Sequence, residues 1–350
     1  MPRGWLAAYD DFITRNASQV SQMESALRSL TYIIPGRFRD AEMASESIHS
    51  SVQLLSLYHD AVLARSAPRA PRTAHARYTS YWSRTSSVYR RAALLLQMVS
   101  YTQLLCEMAA KRRGGERARW RVVVVLEAVK AVCRVVLFGA TRARCVFGLP
   151  LPERDAGGEA EDEHEEEEQR DGAKQTWIMP RTGLALPWMP DPTKVNAYLL
   201  DRVVTADDIK PPRRLVNRLS GTAQASELLH LLVPLIYALA LARSSSSSSP
   251  SPSSSSSRLP SWSPWLLGLA AELAARHLAA DSTLSASPLS RHEWHRRTCA
   301  MAAWCMRGAF YARVTGPAVR GVAARLPGLL AGVLEDYDYL WANYYFSTSP

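Results

Sequence analysis

The chain has little lysine. Of its 42 cationic residues only five are lysines (Lys111, Lys130, Lys174, Lys194 and Lys210), so arginine carries the positive charge. An excess of Arg, Ala and Pro is also what a GC-rich coding sequence produces, which tempers reading a role into each arginine. Cysteine is scarce as well. Cys106, Cys133, Cys145, Cys299 and Cys305 are odd in number, scattered and never spaced CxxC; this argues for reduced thiols in an intracellular setting and against a disulfide framework or a zinc ribbon. No GxGxxG, GxxxxGK[ST] or GxSxG is present, which removes the common signatures of dinucleotide, nucleotide and serine-hydrolase sites. At MPRGWLAAYDDF acids arrive before a long apolar run can form, so no secretory signal is expected. Ser347-Thr348-Ser349-Pro350 is not an SKL-type address.

Long apolar runs are few, and a mean hydropathy of −0.15 rules out a chain made mainly of membrane spans. One or two embedded helices remain compatible with it. Net charge is +10, unevenly placed: residues 153–171 hold 11 acids and 2 arginines, net −9, leaving +19 for the remainder. Such a body suits an anionic membrane surface, where each nearby Lys or Arg is worth about 1 kcal/mol.

Helical spacing dominates. Leu6, Tyr9, Ile13, Asn16, Val20, Met23, Leu27 and Leu30 alternate by three and four, predicting one helical stripe with seven buriable residues and a polar exception at Asn16. Pro35 and Gly36 stop that helix near Ile34. Asp40 then caps a second, whose stripe runs Met43, Ile48, Val52, Leu55, Tyr58 and Val62, broadened by Leu54 and Leu57. Residues 65–77 read as a basic Pro/Ala linker. Residues 78–113 read as one long helix with Tyr81, Trp82, Val88, Ala92, Leu95, Val99 and Cys106 along one side. Gly114-Gly115 breaks it, and residues 116–147 form the next. Residues 153–175 are too acidic to bury surface and are expected to be a disordered loop. An extended stretch at 177–192, whose tryptophans are candidates to clip onto the helical body, and a short helix at 194–204 follow, then a helix opened by Pro211-Pro212. Residues 228–242 form an apolar segment ending at Arg243, and the serine tract at 244–257 is a flexible loop. Further helices are expected at 262–280, from Pro288 through Arg313, and at 318–345 with an interruption at Pro327-Gly328.

Nothing alternates at period two for long. The chain is therefore expected to be all-α, a multi-helix bundle of long amphipathic helices with two low-complexity loops and one or two apolar segments of membrane-embedded character. Three regions are expected: 1–150, an acidic loop at 151–176, and 177–350.

Two segments are candidates for the membrane. Residues 122–138 span about 25 Å as a helix against a hydrocarbon core of about 30 Å, and they carry Glu127, Lys130 and Arg134. Each central charge costs about 2.5–3.5 kcal/mol on insertion while each aliphatic returns about 0.3–0.6 kcal/mol, so a lone lipid-exposed span is disfavoured. The three charges share one stripe at i, i+3 and i+7, facing a protein interior with the valines toward lipid or core; an amphipathic helix of a soluble bundle fits equally. Residues 228–242 reach about 22 Å, short of a span, and with 262–278 they form a hairpin entering from one side.

Chemistry is thin. His292 and His295 lie at i, i+3 but lack a third ligand, and exposed histidines are the better reading. The acidic run at 161–168 lacks the spaced ligands and turn glycine of a calcium loop. No catalytic residue, cofactor, metal, nucleic-acid reader or small-molecule substrate is expected. A soluble basic helical scaffold binding nucleic acid or acidic proteins is the alternative reading.

Several blocks resemble a known family. Glu24 to Arg28 (ESALR), the Pro35-Gly36-Arg37-Phe38 hinge, Leu57-Tyr58-His59-Asp60, YTQLLCEMAA at 101–110, RWRVVVVLEAVKAVCR at 119–134, ELLHLLVPLIYA at 227–238, Ser261-Trp262-Ser263-Pro264-Trp265 and Tyr344-Tyr345-Phe346 occur in the order of the peroxin-sixteen family. The resemblance implies a non-enzymatic, membrane-associated factor of peroxisomal membrane assembly, docking or inserting other membrane proteins. It implies partners in the peroxin-three docking factor and the peroxin-nineteen shuttle, and a peroxisomal location with a route through the endoplasmic reticulum. Integral and peripheral attachment both fit it. Two readings stand for the hinge: Arg37 and Phe38 grip a partner, or Arg37 bonds the orphan carbonyls of the preceding helix.

Overall fold

The computed structural model describes residues 3–33, 42–66, 73–152, 177–178, 185–186, 210–247, 261–283 and 287–348. The hinge at Pro35–Phe38, Asp40, most of the acidic run, the segment at 194–204 and most of the serine tract lie outside them. The fold is all-α. Among the described residues the β structure is a two-residue antiparallel ladder, Trp177–Ile178 against Ala185–Leu186, within the stretch expected to be extended, and one bridge between Arg144 and Arg218.

The first expected helix is two, α1 (Arg3–Arg15) and α2 (Ala17–Ile33). Asn16 causes the break: its side-chain amide donates to the Phe12 carbonyl at 3.0 Å, the same oxygen its backbone N–H uses at 3.1 Å. Such local competition loosens a helix. Ile13 and Val20 of the stripe are buried, but Met23 and Leu27 are exposed, contrary to the sequence expectation. Helix α3 (Glu42–Ser66) is likewise rotated from the expected face. Ser50, Ser56, Leu57, His59 and Val62 point inward, whereas Ile48, Leu55 and Tyr58 face out. Hydrogen bonding sets this rotation. Ser50 Oγ donates to the Tyr101 carbonyl at 2.9 Å, and Ser56 Oγ to Glu24 Oε2 at 2.9 Å. His59 bonds Glu24 through Nδ1, and its Nε2 lies 2.8 Å from the Tyr9 hydroxyl.

The expected helix at 78–113 is also divided. Helix α4 (Ala74–Thr85) begins under a Thr73 cap, and Ser86 is extended, its hydroxyl accepting from Tyr89 N to start α5 (Ser87–Ala140). The break resets the phase. Trp82, Tyr89, Ala92, Ala93 and Leu96 are buried, and Val88 and Leu95 are left outside. Gly115, at φ +66°, folds α5 into two arms. Arg119 Nε reaches Glu107 Oε1 at 2.8 Å and Lys130 Nζ reaches Gln103 Oε1 at 2.8 Å; in a straight helix residues 107 and 119 would stand about 18 Å apart.

The second arm ends at Ala140, earlier than the expected 147. Thr141 caps it, Arg142 and Ala143 turn through left-handed backbone (φ +58° and +56°), and Cys145, Val146 and Phe147 are fed into the core. Pro211-Pro212 opens only a 3₁₀ turn at Pro212–Arg214. Helix α6 (Thr222–Ser247) runs past Arg243, longer than expected. Then come α7 (Trp262–Thr283) and α8 (Pro288–Ala300), the latter replaced beyond Ala300 by a 3₁₀ turn at Met301–Met306. Helices α9 (Gly316–Ala323) and α10 (Gly328–Asn343) complete the order. One apolar cluster joins Tyr78, Trp82, Leu96, Leu137, Phe147 and Leu231; another joins Val123, Tyr237, Trp304, Tyr345 and Phe346.

Candidate membrane-facing layer and its buried charges

Helix α6 packs between the second arm of α5 and α7, making a three-helix layer. Its stretch Thr222–Ser245, 24 residues long, contains an 18-residue window with a mean hydropathy of 1.8 and is long and apolar enough to cross a membrane. Length and composition alone do not separate a span from the core helix of a soluble protein. The flanking helices add apolar surface of their own. On the second arm of α5, Val125, Val132, Val135 and Val136 are turned outward, while Glu127 and Lys130 are 1% and 2% exposed. Arg134 lies on the same stripe, partly exposed. On α7, Leu266, Leu267, Leu273 and Leu278 face out and Glu272 is buried. The α7 leucines thus point away from a face of Gly268, Glu272, Ala275 and Ala279, and the second arm of α5 is apolar on both sides, with Val123, Leu137 and Phe138 buried as well; a surface helix in water keeps its outer face polar.

The buried charges are paired. Lys130 Nζ is 2.8 Å from Glu127 Oε1 and 4.8 Å from the centre of the Phe346 ring. Glu272 takes His230 Nδ1 at 3.1 Å and Arg276 Nε at 3.5 Å. At the start of α6, Glu227 accepts both terminal nitrogens of Arg297 at 2.7 and 2.8 Å and the backbone N–H of Val146 at 2.9 Å. Arg297 also donates to the Val146 carbonyl at 2.6 Å and to Glu293 at 3.2 Å. This fork ties α6, α8 and the loop after α5 at one point. Gly148 lies beside it, and a Cβ there would displace the half-exposed Arg296 guanidinium. Charges within membrane helices take this form: inward, paired and away from lipid.

Glu107, fully buried, organises the other end. It accepts Arg119 Nε and the backbone N–H groups of Tyr345 and Phe346 at 2.8 and 3.0 Å. Tyr345 then packs against Tyr237 and Trp120. Sequence reasoning missed Glu107, Glu227, Glu293 and Arg297, all four of them buried. Their one signal was that Glu107 and Glu227 stand inside the quoted blocks. His292 and His295 are exposed, and no group of three or more His, Cys, Asp or Glu able to hold a metal occurs among the described residues.

A family model described as "Peroxisomal membrane protein (Pex16)" matches residues 7–343. The chain belongs to the Pex16 family. It is 22% identical over 281 residues to "Peroxisomal membrane protein PEX16" of Schizosaccharomyces pombe, covering 77% of this chain and 75% of that protein. It is 21% identical over 390 aligned positions to "Peroxisome biogenesis protein 16" of Arabidopsis thaliana, covering 96% of this chain and 99% of that one. No solved structure matches. Membership of this peroxisomal membrane protein family places the chain at the peroxisomal membrane.

Proposed function

We propose that the chain is a non-enzymatic peroxisome biogenesis factor held in the membrane by α6, α7 and the second arm of α5 together, and that its α1–α3 region receives other membrane proteins. The observation that carries the embedded layer is its polarity, with valine and leucine outward and paired charges inward. The receiving role rests on the exposed Phe12, Met23, Leu27, Ile48, Leu55 and Tyr58 of α1–α3, apolar groups of the kind that seat an amphipathic helix. The peroxin-three docking factor and the peroxin-nineteen shuttle come from the family resemblance. Arg37 and Phe38, between α2 and α3, are the contacts assigned to that role.

Carbonate extraction of fractionated cells tests attachment: the chain is expected in the pellet, and full release into the supernatant overturns the embedded layer. Deleting the gene tests the biogenesis role, which normal peroxisome number and normal membrane-protein import would overturn. Replacing Arg37 and Phe38 with alanine, with folding monitored by circular dichroism, is expected to reduce import without unfolding.

A further inference from the structure

At one end of the layer, α5 stops, α6 and α8 start and α7 finishes. A cleft of about 680 Å³ opens there, lined by Arg144, Lys210, Arg213, Arg214 and Arg218 and, among the described residues, by no carboxylate. We infer that this cleft binds the phosphate of an anionic lipid headgroup, an inference that rests on the embedded reading of the adjoining helices.

Four observations carry it. Arg213, Arg214 and Arg218 converge on one hollow beside Arg144, and none of the three makes an ion pair among the described residues. Arg144 is fixed rather than free: its Nε donates to the Val216 carbonyl at 3.1 Å, NH1 donates to the Thr141 carbonyl at 2.7 Å, and its guanidinium lies 5.5 Å from the Trp82 ring centre. Burial first, then the nearby Arg213, Arg142 and Arg218, hold its pKa below the ordinary arginine value, the opposite of what a paired arginine shows. The backbone that presents it passes through two successive left-handed, non-glycine residues, Arg142 and Ala143; such strain concentrates at binding sites. Finally, the N-terminus of α8, at Ser287 and Pro288, lines the same cleft and adds the positive end of a helix dipole.

Place decides between ligands of like chemistry. Thr222 opens α6 four residues after Arg218, so the cleft lies where the apolar layer gives way to headgroups. Its volume falls within the range of small-ligand sites. A nucleic acid would call for an extended basic track with aromatic platforms, whereas these cations converge on one hollow.

The test uses the full chain in neutral detergent, titrated with a soluble short-chain phosphoinositide, short-chain phosphatidylcholine, inorganic phosphate and a single-stranded RNA. Saturable binding of the phosphoinositide above the other three is expected. Arg213→Gln/Arg214→Gln/Arg218→Gln is expected to weaken it on the order of 100-fold at unchanged helicity, and Arg→Lys at the same three positions to retain most of it. Wild-type affinity in the Gln variant overturns the inference, as does equal or tighter binding of inorganic phosphate, phosphatidylcholine or RNA. Carbonate extraction is run alongside. A Gln variant that stays in the pellet but loses the ligand confirms the cleft, whereas release of the wild-type chain fells the embedded reading and leaves the phosphate titration to judge the cleft alone.

Discussion

Replacing Val125 and Val132 with lysine puts two solvents in opposition. The two valines are 59% and 62% exposed on the second arm of α5. That arm, from Glu116 to Ala140, is about 37 Å long at 1.5 Å per residue, and both positions lie within about 6 Å of its midpoint. In water, exposed substitutions of this kind change stability by about 0.5 kcal/mol or less, and lysine is the better helix former. In hydrocarbon, each central lysine costs about 2.5–3.5 kcal/mol and each lost valine another 0.3–0.6 kcal/mol or so, about 6–8 kcal/mol for the pair. No rearrangement inside the protein relieves this, because the inward face is already occupied by Glu127 and Lys130. The assay is the carbonate-resistant fraction of the double variant in cells. Val88→Lys serves as control; Val88 is similarly exposed, at 56%, but on the first arm. The double variant is expected to leave the membrane pellet and the control to remain. A double variant as carbonate-resistant as wild type would refute the reasoning that these valines face lipid.

Three further outcomes follow from the geometry. Burial raises the Glu46 pKa from 4.5 to about 7, opposed by its hydrogen bond to Ser50; the folded chain therefore binds more protons than the unfolded one, and the contribution is present below pH 4.5 and lost as pH rises to about 7. Glu46→Gln should match wild type at pH 4.5 and exceed it at pH 8 by up to about 3 kcal/mol, read from thermal midpoints across pH. Glu107→Ala leaves two buried backbone N–H groups without an acceptor and Arg119 with Glu116 as its carboxylate partner, and should cost about 2–4 kcal/mol, with faster proteolysis at 344–348. His59→Ala removes α3's bonds to Tyr9 and to Glu24 Oε1 and leaves only Ser56 on Glu24; hydrogen exchange should accelerate across α1 and α2 while α6 keeps its protection.

What the sequence made legible is what acts locally. The break at Gly115 follows from paired glycines, the apolar character of α6 from composition, and the common side of Glu127, Lys130 and Arg134 from their spacing. Helix phase was not legible where a single polar residue interrupts a run. Asn16 and Ser86 each shift the register, which is why Leu27, Val88 and Leu95 lie outside. The charge network was hidden for a different reason. Arg297 finds Glu227 seventy residues away and Glu107 finds Phe346 across 239, separations at which no window of the chain carries the pairing. Glu24 and His59 stood in the recognisable blocks, yet their bond joins two helices on either side of the hinge, so their spacing gave no hint of it.

The Glu107 pairing also sets an order of events during synthesis. Arg119 emerges 12 residues after Glu107, but the N–H of Tyr345 follows by 238. At about 5–20 residues per second, that is a wait of roughly 10 to 50 s. Through that interval α6 and α7 are already made while the groove beside Glu107 stands without its final strand of chain. Glu107 therefore gains its last two donors only after α6 and α7 have been made, so the α5 hairpin is sealed by a segment synthesised long after it.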